Sequence, residues 1–292
     1  MLQFKTTILI IITLISVALS LSIYNRTVFD LSSEAFMDQE SDAQLALDEF
    51  RRQFGSDRSV FLIYKPSDNN VFSRESLRAL QQLTYDLENW QDLNPEAFPD
   101  ADLTELKRIR RVQSLANIQI QESLADTLTS KRIVPRELPQ TQDGLNLIKA
   151  RALSEQDYVS AFYAADGRYG ALLLQTDFGA LPVDGYESAL DAADLDLDTS
   201  FDDFELSFDK SVVVQEVEFE DVDPREYLAF NNALSSVYNQ YADQFEYYAV
   251  GEPPMMTQLQ GILDQLKVLG FLMVAIFAVS YTHLRAHETE EN

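Results

Sequence analysis

The side chains of this chain that could do chemistry are its carboxylates and its two histidines. His283 and His287 lie four apart with Glu288 beside them, a spacing that brings two imidazoles to one helix face, as a zinc site needs. No third ligand is evident and the order is not His-Glu-x-x-His, so zinc is not expected there. Asp191, Asp194, Asp196 and Asp198 are closely spaced hard oxygen donors of the kind calcium takes. No glycine supplies the sharp turn of an EF-hand loop and no glutamate stands at the required offset from Asp191, which favours a solvated acidic face instead. Carboxylates are numerous enough that some pair could stand at the about 5–10 Å separation of glycoside hydrolysis. Abundance alone does not make a site. The chain has no Gly-x-Ser-x-Gly elbow, no glycine-rich phosphate loop, no cysteine and no histidine before His283 to act as a base. The sequence therefore offers no catalytic, cofactor-binding or metal-binding residue, and an enzyme is not expected; a secreted hydrolase ranks last among the readings.

The framework around these residues is large enough to fold. The 292 residues are 46% hydrophobic and 11% aromatic, which supplies a core and excludes wholesale disorder. Forty-eight acidic against 22 basic side chains give a net charge of −26, and such a surface repels phosphate backbones, so nucleic acid is excluded as a partner. The absence of cysteine rules out disulfides and thiol chemistry. More than half of the net charge sits in residues 177–225, where 16 acidic residues face only Lys210 and Arg225. Within that stretch Phe204, Leu206 and Phe208, then Val213, Val217 and Phe219, alternate with polar residues, the pattern of an acidic hairpin or sheet edge.

Two apolar runs flank the middle. Residues 6–25 are twenty residues without a charge, between Lys5 and Arg26. At about 1.5 Å rise per residue they match the roughly 30 Å of a bilayer core, which predicts a transmembrane helix over 1–26. A cleaved signal peptide ending near Ala18-Leu19-Ser20 is the alternative, although the run exceeds the roughly 7–15 residues of a signal core. The positive-inside rule puts the N-terminus in the cytoplasm and residues 27–254 on the extracytoplasmic side of the cell membrane. The second run, residues 268–281, is led in by an amphipathic stretch from residue 255 and has the look of a second transmembrane helix cut short. Residues 280–289 closely resemble a translated sequencing adapter, so residues 282–292 are expected to be an artefactual tail, with the natural chain continuing beyond about Ala278 or Val279.

Between the runs, helix and strand patterns alternate. A helix over Ala43, Leu47, Phe50 and Phe54 stops at Gly55, and residues 60–64 form an apolar strand expected in the centre of a sheet. Ser73 caps a helix with Leu77, Leu80, Leu83, Leu87 and Trp90 on one face, and residues 109–115 complete a βαβ unit. Residues 118–128 and 145–153 are expected as helices. Residues 158–164 and 168–176 are expected as a hairpin turning at Asp166-Gly167, its second strand buried on both faces through Leu172, Leu173 and Leu174. Asp223-Pro224-Arg225-Glu226 supplies a cap, a pre-set first residue and a capping-box glutamate. The stripe that follows, Tyr227, Phe230, Leu234, Val237, Tyr241 and Phe245, is core or a greasy tyrosine-lined groove. A last strand over 246–250 ends at Gly251-Glu252-Pro253-Pro254.

The order of these parts resembles the N-terminal portion of a resistance-nodulation-division superfamily transporter, in its MMPL-like branch of exporters. Residues 47–57 are similar to that family's Phe-x-x-x-Phe-Gly-x-Asp entry to its first strand, through Phe50, Phe54, Gly55 and Asp57. Residues 72–77 resemble the start of its first outside helix, 112–115 the strand after it, and Gly251-Glu252-Pro253 the Gly-x-Pro that returns the chain to the membrane. The resemblance implies an α+β, ferredoxin-like (split βαβ) porter domain that helps move lipids or other hydrophobic compounds with the proton gradient. It implies membrane lipid and a hydrophobic substrate as partners, is compatible with a homo-oligomer, and puts the proton relay in later membrane helices. The acidic segment 177–225 is not part of that pattern. A single-pass, membrane-anchored binding or sensor domain is the competing reading, and it gives no reason for residues 268–281.

Overall fold

The computed structural model describes residues 41–124, 127–181, 219–220 and 222–288. The expected first membrane helix, the aspartates from Asp191 to Asp198 and most of the acidic segment lie outside the described residues. The described chain falls into two units divided at Met255 and Met256.

The larger unit is mixed α+β, and each element follows from a local signal. Helix α1 (Asp42–Phe54) starts where the Ser41 hydroxyl accepts from the Gln44 amide and stops at Gly55, whose amide donates to the Arg51 carbonyl at 2.8 Å. Strand β1 (Val60–Pro66) follows, and helix α2 (Arg74–Glu88) begins where Ser73 accepts from the Ser76 amide at 3.2 Å. Its Leu77, Leu80, Leu83 and Leu87 are fully buried, whereas Trp90 falls in a separate 3₁₀ turn, Trp90–Asp92. Strand β2 (Ile109–Ser114) then leads into β3 (Gln119–Leu124) and β4 (Thr127–Arg132), a separate two-stranded antiparallel ladder. That ladder overturns the helix expected over 118–128. Ile118 and Ile120 are buried while Gln119 and Gln121 between and beyond them are exposed, which is a period of two rather than 3.6.

Helix α3 (Gln142–Ser154) buries Leu145, Ile148 and Ala152. Strand β5 (Gly170–Thr176) comes after a turn in which Gly167, at φ +73°, donates to the Ala164 carbonyl at 2.9 Å. The turn stands where Asp166-Gly167 predicts it, but residues 158–164 contribute isolated bridges rather than a strand. Helix α4 (Pro224–Tyr238) is capped by the Asp223 carboxylate, strand β6 is Phe245–Gly251, and helix α5 runs Glu252–Glu288. The Glu226 carboxylate does not close a capping box; it reaches across to Arg108.

The main sheet has the order β2-β5-β1-β6 with every neighbouring pair antiparallel. Strands β1 and β2 thus run parallel with β5 inserted between them, and β5 and β6 run parallel with β1 between them. Each of the connections through α2 and α4 skips one strand, so two β-α-β units interleave. Val60, Leu62 and Tyr64 of β1, Leu172 and Leu174 of β5 and Val112 of β2 are buried together with the apolar stripes of α2 and α4. Tyr227, Phe230, Ala233, Leu234 and Val237 of α4 are all buried, so the tyrosine-rich stripe is core. The opposite face is barer: Phe61, Tyr248 and Val250 are 40–52% exposed and Ile63 and Leu173 only half-buried, so neither β1 nor β5 is buried on both sides. At Gly170 the strands touch so closely that a Cβ would lie 2.2 Å from Cζ of the buried Tyr64 ring.

Helix α5 carries the second apolar run, and residues 282–288 continue it as helix. Leu266, Val268, Leu269, Leu272, Met273 and Ile276 are each about half exposed along it. No helix among the described residues is long and apolar enough to cross a membrane.

Candidate functional site

Among the described residues no group of three or more histidine, aspartate or glutamate side chains is placed to hold a metal ion. His283 and His287 fall in the last turns of α5. The geometry instead draws attention to arginines, in two places.

The first is a charged junction at one end of the main sheet. Val60 at the start of β1 stands opposite Gly251 at the end of β6 and Leu174 near the end of β5. Just before β1, Arg58 is 2% exposed, which demands partners for its charge. Its Nη1 donates to the Tyr227 hydroxyl of α4 at 2.8 Å, and its Nε lies 3.1 Å from Oε1 of Glu252, out of line for a hydrogen bond but close enough for an ion pair. The Tyr227 hydroxyl in turn donates to the same Glu252 oxygen at 3.0 Å. Asn231 of α4 donates to the Pro253 carbonyl at 2.7 Å, and the backbone carbonyl of Arg58 accepts from Thr176 of β5. Gly251 precedes Glu252 with φ +130°, and a Cβ there would meet the Ser59 carbonyl at 2.2 Å.

Next to it, Asp177 follows β5 and is nearly buried between two arginines: Arg110 Nε donates to its Oδ2 at 2.9 Å and Arg108 Nη1 lies 3.6 Å from its Oδ1. Arg108 also pairs with Glu226 and lies 5.3 Å over the Phe178 ring, which packs edge-on against Tyr227 and Phe230. Burial pushes the Asp177 carboxyl up from its ordinary value, against the opposing pull of Arg110 and Arg108.

The second place is a groove of about 620 Å³ along the outer edge of β2, within the few hundred to about 1,000 Å³ typical of small-molecule sites. Arg110, Arg111 and Arg132 line it, with Glu88 as the one acidic residue, and Trp90 and Tyr158 supply aromatic surface. A register shift between Ile109 and Arg111 makes a bulge of Arg110, which turns its side chain toward Asp177. Asn117 closes the strand edge: its Nδ2 donates to the Val112 carbonyl at 2.7 Å and its Oδ1 accepts from the Ser114 amide at 2.8 Å. Asn117 Nδ2 also donates to Glu88 Oε1 at 2.7 Å, and the Tyr158 hydroxyl donates to the Gln119 carbonyl at 2.7 Å.

None of these arginines stands out in a chain read for its acidity. The signals were available: a lone arginine directly before an apolar strand, and the run Arg108-Ile109-Arg110-Arg111 in a chain with more than twice as many acids as bases. No protein-family model, no curated protein and no solved structure matches the chain.

Proposed function

We propose that this chain supplies the first extracytoplasmic domain of a membrane exporter of the resistance-nodulation-division type, in the MMPL-like branch, moving lipids or other hydrophobic compounds with the proton gradient. The observation that carries the reading is the adjacency of the way in and the way out. Val60 of β1 pairs with Gly251 of β6, so the chain arriving through α1 and the chain departing into α5 share one end of the sheet. A domain inserted between two membrane segments needs that arrangement. The order β2-β5-β1-β6, with interleaved β-α-β units, is that of a ferredoxin-like fold, in keeping with a porter domain. The half-exposed apolar side chains of α5 form a surface that lipid or a neighbouring helix would cover.

A second reading, a membrane-anchored binding or sensor domain, is favoured by the arginine-lined groove. Fractionation together with topology reporters separates the two. A phosphatase reporter joined after Gly251 is active outside the cell in both cases. Joined beyond the second apolar run in a chain extended from the native gene, it is cytoplasmic if the chain is an exporter that re-enters the membrane, and outside if the domain has a single anchor. Recovery of the chain from the soluble cytoplasmic fraction would sink both readings.

A further inference from the structure

We propose that the groove along β2 is a binding site for a phosphate-bearing small anion, a property that goes beyond the exporter reading and stands without it. The argument begins with which charges in the groove are already engaged. Arg110 is held by Asp177 at 2.9 Å, and Glu88, the one carboxylate, accepts from Asn117 at 2.7 Å. That leaves Arg111 on β2 and Arg132 at the end of β4. Arg111 is exposed and Arg132 half-buried, both line the cavity, and among the described residues neither guanidinium has a hydrogen bond or ion pair. Two unengaged guanidinium forks facing one cavity present bidentate donors, the geometry that matches the oxygens of a phosphate.

The rest of the lining fits an organic phosphate better than an extended peptide. A peptide adding to a sheet edge needs free backbone groups, and Asn117 already occupies the Val112 carbonyl and the Ser114 amide. The polar lining that remains is the side-chain amides of Gln91 and Gln113, with the Gln119 amide, whose Oε1 already accepts from the Ser130 hydroxyl at 2.5 Å, still able to donate through its Nε2, and the Trp90 ring is a flat apolar wall. The electrostatic setting sharpens the choice. A chain of net charge −26 repels anions over most of its surface, so a recess carrying three arginines against one glutamate is where that field is locally reversed.

The same phosphate chemistry could arrive free in solution or as a lipid headgroup, and the test separates the two. Trp90 is the chain's one tryptophan and lines the groove, so its emission reports occupancy without a label. The full chain, embedded in phosphatidylcholine nanodiscs, is titrated at constant ionic strength with inorganic phosphate and with glycerol 3-phosphate, using chloride as control. In a parallel arm, nanodiscs containing phosphatidylglycerol are compared with phosphatidylcholine alone. A saturable change with the soluble probes supports the site and identifies a free ligand. A change only in the phosphatidylglycerol discs supports it and identifies a headgroup. In either case the double variant R111Q/R132Q weakens the response at least tenfold, while Lys149→Gln, which does not line the groove, leaves it in place. Arg111 is exposed, Arg132 is half-buried, and neither is tied to the fold by a hydrogen bond or ion pair among the described residues, so circular dichroism and the unfolding midpoint of the double variant stay at the parent values. No saturable response in either arm, or a response that R111Q/R132Q does not weaken, overturns the proposal.

Discussion

Replacing Arg58 with methionine tests whether the charged junction holds the sheet to the first turn of α5. Arg58 is 2% exposed and Glu252 has a side chain 21% exposed, so the pair is largely withdrawn from water. Removing one partner of a buried pair costs about 3–5 kcal/mol, because the other charge is left uncompensated. Here the partial exposure of Glu252 lets water take over some of that role, and methionine fills much of the vacated volume. The lost donation to the Tyr227 hydroxyl adds about 1 kcal/mol. Arg58→Met should therefore cost about 3 kcal/mol. Glu252→Gln keeps a hydrogen-bonding group but leaves Arg58 charged and buried, and should cost about 2 kcal/mol. The double variant removes both charges together, so its cost should fall short of the sum of the singles by at least about 1 kcal/mol. Urea unfolding of the full chain, followed by the emission of Trp90, measures all three, provided the denaturant slope stays constant. An Arg58→Met cost below about 1 kcal/mol, or singles that simply add, would refute the idea that these charges depend on each other.

Three further expectations follow from single contacts. Gly170→Ala drives a methyl to within 2.2 Å of a ring that is fully buried, and should cost about 3 kcal/mol, the upper end for overpacking; Tyr64→Leu in the same chain should recover part of that loss in urea. Ser73→Ala removes the cap of α2 and should lower stability by about 1 kcal/mol, while Ser73→Gly should cost only a few tenths. Asp177→Asn isolates a titration. Because burial raises the folded carboxyl above its unfolded value of about 3.9, the folded chain holds that proton more tightly. The contribution is fully present below the unfolded value and is lost as pH rises through the raised folded one. The stability of the parent relative to the asparagine variant should accordingly decline from acid toward neutral pH, and a flat or rising difference would contradict it.

Local punctuation was readable in the sequence wherever a short-range contact decides the structure. Ser73 caps α2, Gly55 ends α1, Asp223-Pro224 opens α4 and Asp166-Gly167 turns the chain, each through groups at most a few residues apart. The misreadings share a different cause. Residues 118–128 pair as a ladder, and that pairing depends on a partner strand whose register no local pattern encodes. Residues 168–176 do form a strand, but its neighbours are β1 and β2, more than fifty residues upstream, rather than residues 158–164. The candidate site was less legible still. Arg58 finds Tyr227 and Glu252 across 169 and roughly 190 residues of chain, and the groove joins the end of α2, β2 and the β3–β4 ladder. Composition alone emphasises the acids and passes over bases such as Arg58 and Arg108, which the fold gives specific partners.

That asymmetry has a physical origin. An excess carboxylate on a surface needs only water, so it can sit almost anywhere; a buried cation needs a specific anion, and the fold must deliver it. In this domain the deliveries converge. Arg58 precedes β1 and Arg108 precedes β2, the two strands that run parallel; Asp177 follows β5, Glu226 opens α4 and Glu252 opens α5. Strand direction alone puts all five at the same end of the sheet, the end at which Val60 meets Gly251. An ion pair there links elements that no backbone ladder joins, since α4 and the first turn of α5 contribute no strand. The interleaved order of the sheet thus does two things at once. It brings the chain's entry and exit together, and it collects there the charges that fasten Glu252 and Pro253 to β1 and α4 through Arg58, Tyr227 and Asn231. The Arg58 and Glu252 variants, rather than any leucine of α2, are therefore the ones that test how the first turn of α5 is held to the sheet.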